Sequence, residues 1–336
     1  MAMKREGATR SMFAACVLAA ASARLAGQTF PEPDHVDLDW LGNRVWEPGE
    51  TVDVAPTWGN GGEGVLNLTG DGDDLFGPPG ASYQIVDGTA AYSLLPLSLG
   101  SCLDEGNCYI LAVDDPPVRP AKHWDTRLQE WLTGGTGVEW VLHIGESFPD
   151  VPKSNLFYAF VETIFHNGVT GGCTEDAFCP DATTFRQQMA VFVLKSKYGA
   201  GYEPPPCTGV FSDVDCQSPF AAWIEDLFVK GIVAGCGPGP VYCPAAPVSR
   251  QQMAVFLLKT MYGPAYTPPP CFGVFVDVPC DNPFAPWIED LFYRGITAGC
   301  NGAFYCPTSP TTRGQMAPFL VKTFKLGLYE DSQFPS

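Results

Sequence analysis

The sequence predicts a multidomain chain, an N-terminal all-β sandwich followed by an all-α array of three helical repeats. Three observations predict it. Apolar residues recur with a period of two up to about Ile144, and with a period of about 3.6 beyond it. From residue 148 onward one unit recurs three times, every ~63 residues. Cysteines recur in step with that unit. A chain of 336 residues is long enough for two or three compact domains, each with its own core. Its 36 Gly and 32 Pro imply short elements and many turns.

Residues 1–27 read as an export signal peptide. Lys4, Arg5 and Arg10 precede an apolar run over 11–23, and the small residues Ala21, Ala23, Ala26 and Gly27 offer cleavage points. The run is short for a membrane span and Arg24 interrupts its end. Residues 28–47 read as an extended lead-in, and 48–145 as an immunoglobulin-like β-sandwich of about seven strands. Alternating or clustered apolar residues between Gly, Pro and Asp turns place strands at 51–54, 64–68, 82–86, 108–113 and 138–144. The likeness to immunoglobulin-like modules of bacterial surface proteins is architectural. Asp71-Gly-Asp73-Asp74 reads as a solvated turn, because it lacks the further spaced ligands of a calcium loop. His123-Trp-Asp125 suggests a catalytic pair, but no serine or cysteine nucleophile motif accompanies it, so a structural role is expected.

The repeats span 148–205, 206–269 and 270–325, with a C-terminal tail at 326–336. Phe148-Pro-Asp150, Phe211-Ser-Asp213 and Phe275-Val-Asp277 open them. Gly172-Cys173, Gly235-Cys236 and Gly299-Cys300 mark their middles, and Phe178-Cys179-Pro180, Tyr242-Cys243-Pro244 and Tyr305-Cys306-Pro307 follow. Arg186-Gln-Gln-Met189, Arg250-Gln-Gln-Met253 and Arg313-Gly-Gln-Met316 start a second helix. The first helix is clearest where Phe220, Trp223, Ile224, Leu227 and Phe228 share a face before the stop at Gly231. Ser249 or Thr312, with Gln252 or Gln315 three residues on, forms a capping box for the second. In copy one Phe185 takes the cap position, so Thr184 substitutes or the first turn is weaker.

Without Cys16 in the signal segment, the 13 cysteines fall to an even number. Repetition of short loops favours local pairs: Cys102–Cys108, Cys173–Cys179, Cys207–Cys216, Cys236–Cys243, Cys271–Cys280 and Cys300–Cys306. Such pairing suits an oxidising compartment, and each bridge is worth roughly 2–3 kcal/mol in the chain-entropy model. Zinc is not expected at these loops, which hold no Cys-x2-Cys knuckle and none of the four histidines.

These motifs resemble S-layer homology repeats, in a cysteine-containing subgroup. That pattern runs Phe-x-Asp-Val, an aromatic helix ending in Gly-Ile/Val-Thr/Val-x-Gly, then a Thr-Arg-Ala-Glu-like helix start. The resemblance implies a pseudo-threefold helical assembly whose inter-repeat grooves bind an anionic, often pyruvylated, cell-wall polysaccharide. Carried over by position, it assigns binding to Arg186, Arg250 and Arg313 and to Asp150, Asp213 and Asp277. Trp223 and Trp287 offer flat faces for sugar rings. The family's usual glutamate is replaced by Gln188, Gln252 and Gln315, which keeps the cap and removes a charge. On this reading Arg-to-Gln substitutions remove charge without disturbing the fold.

A formal charge of −18 argues against nucleic-acid binding. No catalytic residues, cofactor or metal ligands are expected. The expected function is therefore a non-enzymatic protein of the cell envelope or extracellular surface, anchored by its repeats, with the β domain as spacer or display module. The alternative is an S-layer-like structural subunit whose repeats mediate lateral assembly. Sequence names no protein partner for the β domain.

Overall fold

The computed structural model describes residues 31–39 and 42–331. The segment expected to be an export signal, Cys16 and the last five residues of the tail lie outside them. Among the described residues, ten strands and seven helices follow in order: β1 (Glu32–Leu38), β2 (Thr51–Asn60), β3 (Leu66–Phe76), β4 (Tyr83–Asp87), β5 (Thr89–Leu94), β6 (Ser98–Ser101), α1 (Cys102–Glu105), β7 (Tyr109–Val113), β8 (Trp124–Leu132), β9 (Gly137–Ile144), α2 (Tyr158–His166), α3 (Arg186–Tyr198), α4 (Ala221–Val229), α5 (Arg250–Tyr262), α6 (Ala285–Tyr293), α7 (Arg313–Phe324) and β10 (Glu330–Asp331).

Two five-stranded antiparallel sheets form. One runs β1-β2-β7-β4 with β6 also on β2, and the other runs β10-β9-β8-β3-β5. Strict alternation along β8 turns Trp124, Thr126, Leu128, Glu130 and Leu132 inward. That period places a carboxylate in the core. Glu130 is tolerated there because it accepts from Tyr92 and Tyr109 hydroxyls and Trp140 Nε1, each at 2.6 Å, and from Trp58 Nε1 at 3.3 Å. Burial pushes its pKa up, and the four donors oppose that shift.

The lead-in is not free. β1 pairs with β2 from Glu32↔Gly59 to Leu38↔Val54, so it is an integral edge strand. Asp71–Asp74 is not a turn either but lies inside β3, where the register with β8 shifts between Gly72 and Asp74.

The expected all-α repeat array is corrected by the structure. Helix and strand contents are about equal, 23% and 25%, with two antiparallel sheets. The physical reason is that the helical repeats are not a unit apart from the sheets but share their packing with them. The tail after α7 returns to the second sheet, where β10 pairs with β9 through Glu330↔Val141 and Asp331↔Trp140. Tyr329 enters the sheet core and its hydroxyl accepts the Trp46 N–H at 2.9 Å. In the opposite direction, Val45 from the lead-in is buried in the helical core. Each core therefore contains side chains from the other half of the chain. A β half that folds alone would lack Leu328 and Tyr329.

Within the helical part, extended segments preceding α3, α5 and α7 meet at the centre. Thr184 N–H donates to Thr311 C=O at 2.9 Å, Thr311 N–H to Val248 C=O at 2.9 Å, and Val248 N–H to Thr184 C=O at 3.0 Å. This closed triangle gives the three units a pseudo-threefold relation. The glutamine half of each capping box forms: at Phe185, Ser249 and Thr312 the backbone N–H donates to the Oε1 of Gln188, Gln252 and Gln315 at 3.0, 3.1 and 3.3 Å, while of the two expected hydroxyl caps Thr312 accepts the Gln315 N–H and the Ser249 hydroxyl is unpartnered. Copy one thus keeps the glutamine half of the box with a phenylalanine cap.

Candidate functional site

The site residues are built around the same threefold closure. Arg186 Nε donates to Tyr242 C=O at 2.9 Å, Arg250 Nε to Tyr305 C=O at 2.9 Å, and Arg313 Nε to Phe178 C=O at 2.7 Å. Each arginine therefore clamps the next repeat, and the third returns to the first. A second guanidinium nitrogen reaches Ala234 C=O, Gly299 C=O and Thr170 Oγ1, respectively. Each guanidinium also lies over the ring of the residue it clamps, at 4.5 Å for Tyr242, 4.8 Å for Tyr305 and 4.7 Å for Phe178. The side chains are buried, which pushes their pKa values down. None has a carboxylate within 4.0 Å among the described residues. The arginines thus hold the fold together, and the expectation that Arg-to-Gln leaves the fold undisturbed is not supported by this packing.

The three aspartates do not reach the arginines. Asp150 accepts the N–H groups of Phe178 and Cys179, Asp213 those of Tyr242 and Cys243, and Asp277 those of Tyr305 and Cys306, at 2.7–2.9 Å. Cys179, Cys243 and Cys306 all have positive φ, near 58°, a region unfavourable for side chains with a Cβ. Each carboxylate offsets that strain by holding the turn's amides. All six cysteine pairs read from the sequence lie at disulfide distance, with Cα separations of 5.1–6.0 Å.

Two clefts open at equivalent repeat junctions. One of about 320 Å³ is lined by Arg250, Gly299, Gln315, Phe319, Lys322 and Phe157. The other, of about 260 Å³, has Arg186, Gly235, Gln252, Phe256, Lys259 and Phe284 in the corresponding places. At the third junction, Arg313 lies 5.5 Å from the ring of Phe192, as Arg186 does 5.6 Å from Phe256 and Arg250 5.5 Å from Phe319. Lys195 follows at the matching position, its Nζ donating to Gly168 C=O at 3.1 Å. Two junctions thus combine a guanidinium, a glutamine, a lysine and an aromatic wall, and the third repeats the guanidinium, lysine and aromatic ring.

The lysines were missed in the sequence, although the signal was present. Lys195, Lys259 and Lys322 stand in the same register relative to Arg186, Arg250 and Arg313. Trp223 and Trp287 are half-buried against the helical core and contact Tyr202 and Tyr266 rings at 6.1 Å. Trp287 also lies 6.0 Å below Lys259 Nζ, beside the second cleft.

A different cluster gathers around the His-Trp-Asp motif. His123, at the start of β8, meets His143 from β9 and His166 at the end of α2. Burial alone would push His143 down, but the carboxylates of Asp125 and Glu162 outweigh it and hold its pKa above the ordinary value. Burial, then the neighbouring His143, push His166 down to about 4. No spacing motif announced this cluster, since its members come from three separate elements.

The chain matches no protein-family model and no curated protein. Among the described residues, no helix is long and apolar enough to cross a membrane.

Proposed function

We propose that the chain is a non-enzymatic, exported envelope protein of the S-layer homology type that binds an anionic wall polysaccharide in its inter-repeat clefts. The observation that carries this reading is the recurrence at every junction of a buried guanidinium with no carboxylate in contact, followed by a lysine, with a glutamine beside it at two of them. A cation removed from water, with its nearest aspartate out of contact and held by backbone amides, attracts an anionic ligand despite the protein's overall acidity. The aromatic wall suits the apolar face of a sugar ring, and the glutamine Nε2 supplies a neutral donor for hydroxyls. Six cysteine pairs at disulfide distance support passage through an oxidising compartment.

The test is co-sedimentation of the mature chain with purified cell-wall sacculi, before and after acid removal of their polysaccharide. Binding to intact but not stripped sacculi is expected. The triple variant Lys195→Gln, Lys259→Gln, Lys322→Gln is expected to lose about tenfold or more in affinity while melting like wild type. Equal binding to stripped sacculi, or full binding by the folded triple variant, would refute the reading.

A further inference from the structure

Three of the four histidines in the chain converge on one point between the second sheet and the first repeat helix. One ring nitrogen from each of His123, His143 and His166 lies within 4.8 Å of those from the other two. Asp125 faces the same point. Its Oδ1 is 3.7 Å from His143 Nδ1 and 3.6 Å from His166 Nδ1, too far for ordinary hydrogen bonds. His143 has no exposed side-chain surface, yet its Nδ1 lacks a hydrogen-bond partner. The Nδ1 of His123 and the Oδ1 of Asp125 are also shielded from solvent and unpartnered. Three buried, unpartnered ligand atoms gathered in this cluster are costly unless something binds them.

The other nitrogen of His143 is accounted for. Its Nε2 lies 3.2 Å from Glu162 Oε2, which with Oε1 also accepts the Ser147 hydroxyl and N–H at 2.6 and 2.7 Å. A carboxylate on Nε2–H fixes the imidazole tautomer with its lone pair on Nδ1, directed towards Asp125 and the other histidines. Glu162 is itself a repeated structural position. Its counterparts Glu225 and Glu289 accept the backbone N–H groups of residues 208–210 and 272–274, and only copy one has a histidine added to this acceptor.

We infer that His123, His143, His166 and Asp125 form a binding site for one divalent transition-metal ion, with zinc the best match, and that Glu162 orients His143 from behind. The donor set is three imidazoles and a carboxylate, which suits zinc and excludes calcium or magnesium, whose ligands are oxygens. In a tetrahedral zinc site, ligand atoms are about 3.3 Å apart. The carboxylate lies 3.7 Å from His143 and 3.6 Å from His166, already near that value, and must move closer to His123, while the imidazole nitrogens must close by at most about 1.5 Å, within reach of side-chain rotation. Asp125 and Glu162 balance the ion's charge. The half-exposed side of Asp125 provides a path for the ion to enter. Such an ion would tie β8 and β9 to α2, across the boundary between the sheets and the helices.

The experiment uses the mature chain with its thiols oxidised and any residual thiol alkylated, dialysed against chelator and then titrated with zinc chloride alone. About one zinc per chain is expected, with a rise in melting temperature that chelator reverses. Cobalt(II) chloride is expected to give visible absorption bands of the intensity typical of four-coordinate sites. His166→Gln and His123→Gln are expected to weaken zinc binding by more than the 10–100-fold typical of changes behind the ligands, and Glu162→Gln by about 10–100-fold. His35→Gln, which changes the one histidine outside the cluster, is expected to bind as wild type. Should either ligand variant fail to fold, the cobalt spectrum and zinc stoichiometry of the wild-type chain decide alone. A wild-type chain that takes up neither zinc nor cobalt, or a folded His123→Gln, His166→Gln double variant that binds zinc normally, would overturn the site.

Discussion

Replacing Arg250 with glutamine is expected to destabilise the whole protein by about 3–5 kcal/mol, because two backbone carbonyls lose their charged donor. The structure supplies the components of that figure. Nε donates to Tyr305 C=O at 2.9 Å and Nη2 to Gly299 C=O at 3.2 Å, and hydrogen bonds from a charged donor are worth about 1.5–3 kcal/mol each. The guanidinium also lies 4.8 Å over Tyr305 and 5.5 Å from Phe319, contacts worth about 0.5–2 kcal/mol each when desolvated. Against these stands the cost of burying the cation in the wild type, which the variant avoids and which brings the net figure down. Glutamine is too short to reach both carbonyls, so at least one is left unsatisfied. For a folded unit of this size about 2 °C in melting temperature accompanies each kcal/mol, giving a fall of about 6–10 °C. Differential scanning calorimetry of the mature, oxidised chain measures it, with Lys322→Gln as a surface control that moves by less than about 1 °C. An Arg250→Gln variant melting within about 2 °C of wild type would refute the clamp and would free this guanidinium for ligand alone.

Three further outcomes follow from the geometry. Burial, with a hydrogen bond from protonated Glu47 to the neighbouring Glu50 next in weight, raises the Glu47 pKa to about 7, so the folded state holds that proton more tightly than the unfolded chain. The stabilisation is complete below about pH 4.5 and is lost as pH rises through about 7; Glu47→Gln is expected to raise the urea midpoint at pH 8, by an amount reduced by loss of the 3.4 Å ion pair with Lys153, and to change little at pH 4.5. Mass mapping under non-reducing conditions is expected to find the six local cysteine pairs, and free thiols in most loops would count against them. Truncation after Lys325 removes Leu328, Tyr329 and β10 from the second sheet and leaves the Trp46 N–H without its acceptor; a loss of about 3–5 kcal/mol in urea unfolding is expected, and an unchanged midpoint would mean the tail is dispensable.

Much of the helical part was legible in the sequence because its determinants are local. Helices α3, α5 and α7 begin at Arg186, Arg250 and Arg313, where the repeat register places them, and glutamine caps follow from three-residue spacing. The cysteine pairs close loops of six to nine residues in sequence separation, so chain connectivity alone brings them together. In the amino-terminal half the sequence located β2, β3, β4, β7 and β9, whose apolar patterns are clear. It missed β1, β5, β6 and β8. β6 is short, and β8 alternates with charged residues such as Arg127 and includes the buried Glu130, which a hydropathy pattern reads as surface.

What the sequence determined by itself was the threefold register, the positions of the helices, and the pairing of cysteines close in the chain, because each depends on neighbours within a few residues. Tertiary structure alone decided the rest. The roles of Arg186, Arg250 and Arg313 depend on carbonyls about 50 residues or more away, and that of Arg313 on Phe178 in the first repeat. The return of the tail to β9 depends on a partner strand nearly 190 residues upstream. The meeting of His123, His143 and His166 depends on how β8, β9 and α2 pack. Such contacts leave no periodic trace, since a residue that touches a distant partner is free to be surrounded by any sequence that lets the chain arrive there.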